Sequence, residues 1–329
     1  MSYEFCVGLM DMHRELKERF RSHSSPLECI PTGESPLLKP LDGIRAVVFD
    51  VYGTLIISGV GDIGVDDGVI APERITEALT QSGIQLLPKS MQGTAAYAED
   101  SNPDAVEPSI HGLRALELYN ETVNTLCQDA IASGADVPEP DIRTVWSRVL
   151  KSLMSEGLIR IDELKKSAER MSVEFEIRMN PTWPMPNMTR VLDHLHDRSL
   201  ELGIISNSQF YTPIMMEAYA GRTLSDLGFS TDLLHWSFEE GLKKPSIHFY
   251  ERFLDTMEHR HQREAKHHSP LEPAQILYVG NDMKKDILPA HTLGCKTALF
   301  AGDQRSLKWR REDPECQTLQ PDLVITDLM

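Results

Sequence analysis

The apolar positions of this chain follow one rhythm at its two ends and another in its middle. Phe5, Leu9, Met12, Leu16 and Phe20 recur at helical spacing and predict a single amphipathic helix over 1–22. Ser24, Ser25, Pro26, Pro31, Gly33, Pro36 and Pro40 then exclude regular structure, so 1–41 reads as a helix docked on its own core plus a tether. Ala46, Val47, Val48 and Phe49 form a short apolar run, read as a buried strand that stops at Asp50, and Gly53 permits a sharp turn after it. From 72 to about 180 the spacing is helical throughout. Helices are predicted over 72–82, 110–132, from 142 (with Ile142, Val145, Trp146, Val149, Leu150 and Leu153 on one stripe) and over 161–177, with a polar loop at 92–108. Strand and helix patterns alternate from 187 onward: helices over 187–198, 212–220, 246–259 and 286–293, strands over 200–205, 233–238, 275–279, 296–300 and 323–326. Strands separated by helices predict an α/β fold, a doubly wound, Rossmann-like parallel sheet, with an all-helical domain inserted in it. The expected organisation is a tether at 1–41, a core formed by 42–60 and 186–329, and a helical cap at 61–185.

Composition narrows the classes of partner. The 329 residues carry a net charge of -17, which argues against non-specific binding to nucleic acid or to an anionic membrane, because both need a basic surface. No apolar run reaches the length of a membrane span, and Glu4, Asp11 and Glu15 make the N-terminus a poor signal peptide. Cys6, Cys29, Cys127, Cys295 and Cys316 are odd in number and lack a CxxC spacing, so they read as free thiols in a reducing cytoplasm.

Two local patterns are set aside on physical grounds. Ser58–Gly64 contains GxGxxG after a strand, but a helix must begin at once to aim its N–H groups at a pyrophosphate. Here Val65, Asp66, Asp67 and Gly68 intervene, and Asp62, Asp66 and Asp67 would repel the ligand, so a glycine-rich hairpin or flap is expected. His259, His261, His267 and His268 lie in one local run with Arg260, Arg263 and Lys266 and no carboxylate cluster, as in a solvated helix end.

The chemistry collects at strand ends. Asp50, Ser206, Lys244 and the pair Asp282 and Asp286 each follow a predicted strand, and strand ends of such a sheet converge on one crevice. Asp50 is a candidate nucleophile, and Lys244 supplies the positive charge that an anionic target would need. Asp282 and Asp286 share a face and repel each other unless a cation lies between them; hard oxygen ligands beside a phosphate suit Mg²⁺. Ser206 and Thr54 offer hydroxyl donors.

In this order, these residues resemble the haloacid dehalogenase superfamily of hydrolases. Its Asp-x-x-x-Thr turn is matched by Asp50 to Thr54, its Ser or Thr after a strand by Ser206, and its Lys-Pro by Lys244-Pro245. Its Gly-Asp-x-x-x-Asp motif is matched by Gly280 to Asp286, with Asn281 inserted before the first Asp. The resemblance covers roughly 42–329 and implies a helical cap between the first two motifs. One position departs from the phosphatases: where they usually carry a second Asp, this chain has Tyr52, as in the metal-independent 2-haloacid dehalogenases. Those enzymes, in turn, typically lack an acidic residue matching Asp282.

Giving the fourth motif more weight, the resemblance implies a Mg²⁺-dependent phosphatase of a small phosphorylated metabolite, working through an aspartyl-phosphate on Asp50. Asp50, the Tyr52 backbone carbonyl, Asp282 and Asp286 would hold the metal. Lys244 and Ser206 would assist catalysis, and Thr54 and Asn207 would bind substrate. The alternatives are a metal-independent 2-haloacid dehalogenase and a non-catalytic protein of the same fold. Arg143, Trp146, Arg178 and Asn180 are candidate substrate contacts, each with ordinary packing as the plainer expectation.

Overall fold

The computed structural model describes residues 3–61, 71–88, 110–264 and 271–329. Asp62, Asp66 and Asp67, the polar loop expected at 92–108, and His267 and His268 lie outside them. The chain divides into two compact units. One comprises Met1–Gly64, Ala130–Asp141 and Asn180–Met329, and the other Val65–Asp129 and Ile142–Met179.

The strands, in chain order, are β1 (Ala46–Phe49), β2 (Ile56–Ser58), β3 (Gln85–Leu86), β4 (Ile159–Arg160), β5 (Thr182–Pro184), β6 (Glu201–Ser206), β7 (Phe229–Trp236), β8 (Ile276–Gly280), β9 (Lys296–Phe300) and β10 (Leu323–Ile325). Six of them form one parallel sheet in the order β10-β9-β8-β1-β6-β7. β1 is buried on both sides, which is why it reads as an unbroken apolar run rather than an alternating one. After β1 the chain lays down β6 and β7 on one side, then crosses back to build β8, β9 and β10 on the other. β1 therefore stands where the direction of winding reverses, the place at which such sheets open a crevice. The fold is the expected α/β, Rossmann-like one. Under the sheet, Phe249, Tyr250 and Phe253 pack with Val48, Ile205 and Tyr278 in a buried cluster.

Four short strands, β2 to β5, escaped the periodicity. β2 pairs antiparallel with β5, so the chain leaving the sheet unit runs beside the chain re-entering it. The Ser58 hydroxyl donates to Asn180 Oδ1 at 2.8 Å and the Gly59 N–H to the Pro181 carbonyl at 2.8 Å. Asn180 thus closes this junction, the plainer of its two expectations. Gly61 has φ +80°, and a Cβ there would lie 2.2 Å from the Arg305 carbonyl oxygen. The glycines of the GxGxxG stretch that are described serve a tight backbone crossing.

The first helix, α1 (Tyr3–His23), buries Met12, Leu16 and Phe20 against a helix of the same unit that bears Tyr211 and Tyr219. The segment after it runs along the edge of the sheet: the Thr32 hydroxyl donates to the Ala301 carbonyl at 2.9 Å, and Leu37 exchanges backbone hydrogen bonds with Val324 at 2.9 and 3.0 Å.

In the second unit, the helices α2 (Pro72–Gln81), α3 (Ile110–Ala132, ending in the other unit), α4 (Ile142–Ser155) and α5 (Leu164–Met179) carry the core. Tyr119, Trp146 and Phe175 meet there with ring centroids 5.2–5.4 Å apart. Trp146 is fully buried and so belongs to this packing. Arg178 pairs with Glu174 one turn earlier and reaches Glu77 of α2 at 3.6 Å. Among the described residues, no helix is long and apolar enough to cross a membrane, and Cys29, Cys127, Cys295 and Cys316 are not joined in disulfides.

Candidate active site

Asp50 continues the line of β1: its N–H donates to the Val279 carbonyl of β8 at 2.9 Å. The chain then turns on Val51, whose carbonyl accepts from Leu55 and Ile56 at 2.9 Å, and on Gly53 at φ +85°. A side chain at Gly53 would collide with Ser306 and Asn281. The turn thus holds a carboxylate at the mouth of the sheet and lets the neighbouring loops close around it.

Three elements converge on Asp50. Ser206, at the end of β6, donates its hydroxyl to Asp50 Oδ1 at 2.9 Å. Lys244 places Nζ 2.6 Å from Asp50 Oδ1 and 2.6 Å from Asp286 Oδ1. Oδ2 of Asp50 takes no hydrogen bond among the described residues. Burial alone would lower the Lys244 ammonium, but the charges and hydrogen bonds of Asp286 and Asp50 outweigh it and hold it above the ordinary lysine value. For Asp286, burial pushes the carboxyl up, Lys244 pulls it down, and the charges of Asp50 and Asp282 push it up again. Burial also drives the Tyr278 and Tyr250 phenols well above their usual range, so both stay protonated beside this cluster.

Lys244 is held from behind. Asn207 accepts from the Lys244 N–H at 2.7 Å and donates to the Lys244 carbonyl at 3.2 Å. Residues 130–141 support the same loop: the Lys243 N–H donates to the Val137 carbonyl at 2.9 Å and the Glu139 N–H to the Gly241 carbonyl at 3.1 Å. Gln209 Nε2 donates to Glu139 Oε1 at 3.0 Å. Burial raises the Glu139 carboxyl against the opposing pull of Lys243 and of that hydrogen bond.

The fourth motif is arranged differently from the expectation. Asp282 Oδ1 caps the following turn, accepting from the Lys284 and Lys285 N–H groups at 2.8 and 3.1 Å. Arg310 grips the same carboxylate, Nη2 to Oδ2 at 2.7 Å and Nε to Oδ2 at 3.2 Å. Asp286 Oδ2 accepts from the Asn281 and Asp282 N–H groups, each at 3.0 Å. Thr54 is fully buried and donates its hydroxyl to Asn281 Oδ1 at 3.2 Å. Both amide atoms of Asn207 are likewise committed to the Lys244 backbone.

A divalent cation here would need ionised oxygens with lone pairs to spare. Asp282 has given its carboxylate to a guanidinium and two amides, Asp286 to Lys244 and two amides, and one Asp50 oxygen to Ser206 and Lys244. Among the described residues, no three His, Cys, Asp or Glu side chains are grouped so as to hold a metal ion. The set Asp50, Tyr52, Asp282 and Asp286 therefore does not fit Mg²⁺. The repulsion between Asp282 and Asp286 that suggested a cation is relieved by the protein's own Arg310 and Lys244.

The cleft over Asp50 is lined by Tyr52, Asn207, Lys244 and Asp286, and also by Lys285, Ser306 and Lys308. The Tyr52 hydroxyl lies 2.9 Å from Thr212 Oγ1. Ser306, Lys308 and Arg310 belong to the irregular segment after β9. No periodicity marks that segment; its one signal is the basic run Lys308-Trp309-Arg310-Arg311.

Residues 241–329, which include Lys244, Asp282 and Asp286, match the model of the HAD-hydrolase-like family. Among curated proteins there is no match. Solved structures similar to the chain include a 2-haloacid dehalogenase from Pseudomonas syringae pv. Tomato DC3000, 16% identical, covering 87% of this chain and 95% of that one with a TM-score of 0.47. A predicted phosphoglycolate phosphatase from Haemophilus somnus 129PT is 16% identical, covering 88% and 96%, with a TM-score of 0.41. CbbY from Rhodobacter sphaeroides, in complex with phosphate, is 11% identical, covering 87% and 95%, with a TM-score of 0.42.

Proposed function

We propose that this chain, a member of the haloacid dehalogenase superfamily of hydrolases, works through a covalent ester on Asp50 and without a metal ion. Its substrate is a small anionic molecule whose leaving group departs unprotonated, the 2-haloacids being the class that fits best. The observation that carries this reading is the commitment of Asp282 to Arg310, which removes the reason for a cation. Ser206 and Lys244 fix Asp50 through Oδ1 and leave Oδ2 to attack. Oδ2 bonds to the carbon bearing the halogen, and the carbon–halogen electron pair leaves as halide. Water then hydrolyses the ester, which returns Asp50 and releases the 2-hydroxy acid and one proton. Tyr52 stands where a carboxylic proton donor would be needed for an alkoxide, and its phenol is held by Thr212. A halide needs no such donor.

Phosphate ester hydrolysis is the second reading. It is favoured by Lys285 and Lys308 lining the cleft with Lys244, a set of cations suited to a dianion. In that case Asp50 would carry the phosphoryl group. The free thiols and acidic composition suit a cytoplasmic enzyme. The test is a panel of 2-haloacids and phosphate monoesters with and without EDTA. Halide release that EDTA leaves unchanged supports the first reading. Phosphate release abolished by EDTA would overturn the metal-free proposal, and phosphate release indifferent to EDTA would leave it standing with the second substrate class.

A further inference from the structure

We infer that Ser306 and Lys308, on the segment after β9, form an oxyanion subsite that receives the non-reacting carboxylate or phosphate of the substrate. The inference rests on the reading of Asp50 as the reacting group only in placing the substrate; the subsite itself stands on three separate observations. Lys308 lines the cleft, is half-buried, and forms no ion pair among the described residues. A half-buried ammonium without a carboxylate partner is unusual in a chain with 50 acidic residues. Ser306 borders the same cleft, is 1% exposed, and its hydroxyl has no hydrogen-bond partner. An unsatisfied buried hydroxyl is destabilising, and an incoming oxygen would relieve it.

The segment is also held in place. The Lys308 N–H donates to the Asn281 carbonyl at 2.9 Å and its carbonyl accepts from the Met283 N–H at 2.9 Å, which ties Lys308 to the fourth motif. The N-terminal strap grips it from the other side. The Ile30 carbonyl accepts from the Gln304 N–H at 2.9 Å, and Glu34 accepts from the Trp309 indole N–H at 2.8 Å. Arg310 is fixed on Asp282. Lys308, free among fixed neighbours, is the group left to meet a ligand. Binding an anion in a pre-formed site costs less than ordering a mobile lysine to do so.

The experiment uses the full chain carrying Asp50→Asn, which cannot form the ester, so that binding is read apart from chemistry. Inorganic phosphate and acetate are titrated into it by calorimetry, then into the same protein with Lys308→Met, Lys308→Arg or Ser306→Ala added. We expect Lys308→Met to weaken the binding of at least one of the two anions at least 10-fold, Lys308→Arg to restore most of it, and Ser306→Ala to weaken it several-fold. Preference for phosphate or for acetate identifies which oxyanion the subsite takes. Equal affinities with and without Lys308→Met, in proteins with matching melting curves, would overturn the inference, as would an absence of binding to the Asp50→Asn chain. Loss of anion binding in Lys308→Met, together with a chain inert on every substrate of the panel, would reject the proposed reaction and leave the subsite standing.

Discussion

Arg310 holds Asp282 with two nitrogens, 2.7 and 3.2 Å from one carboxylate oxygen, although 28 residues separate them in the chain. The pair gives Asp282 a guanidinium partner, where a divalent cation was the expected one. Substituting Arg310→Ala should therefore leave Asp282 buried and uncompensated, a loss of about 2 kcal/mol for a pair whose cation is partly exposed. Millimolar Mg²⁺ should raise the melting temperature of Arg310→Ala and leave that of the wild type unchanged. A wild-type protein that Mg²⁺ stabilises as strongly as the variant would return the metal to the site.

Asp50→Asn should abolish turnover of every substrate, because an amide does not form the ester. The fold should persist, with unchanged circular dichroism. Residual activity near the wild-type level would exclude a covalent route through Asp50.

Lys244→Met leaves Asp50 and Asp286 facing each other without their shared cation, and should cost about 3–5 kcal/mol in urea unfolding. The pH dependence has a definite sign. The folded-state pKa of Lys244 is raised above 10.5, so its contribution is complete below pH 10.5 and is lost as pH rises through the higher folded value. The stability gap between wild type and Lys244→Met should be flat from pH 8 to 10 and narrow only above that range.

Tyr52→Phe removes the contact with Thr212 and should cost about 1 kcal/mol. Turnover of a 2-haloacid should change little. A fall of about 10²–10⁴-fold would instead identify Tyr52 as a proton donor.

Gly61→Ala forces a Cβ toward the Arg305 carbonyl from a left-handed backbone, and should destabilise by about 1–3 kcal/mol. Because Arg305 precedes Ser306, KM should rise more than kcat falls. A variant as stable as the wild type would mean that the crossing is loose.

The sequence by itself determined the sheet and the residues at its mouth. The apolar run 46–49 reads as a buried strand, and Asp50, Ser206 and Lys244 meet because each follows an element whose end points into one crevice. Periodicity reports burial along a single element, so it could not foresee pairings between distant segments. That is why the short strands Ile56–Ser58 and Thr182–Pro184, the support of Lys244 by residues 130–141, and the strap along the segment after Phe300 became visible only in the folded chain. The same limit decided the fourth motif. Two acidic residues four apart always repel on a shared face, and sequence spacing cannot say what neutralises them. The answer came from Lys244, 42 residues before Asp286, and from Arg310, 28 residues after Asp282, because counter-charge is a property of distance in space.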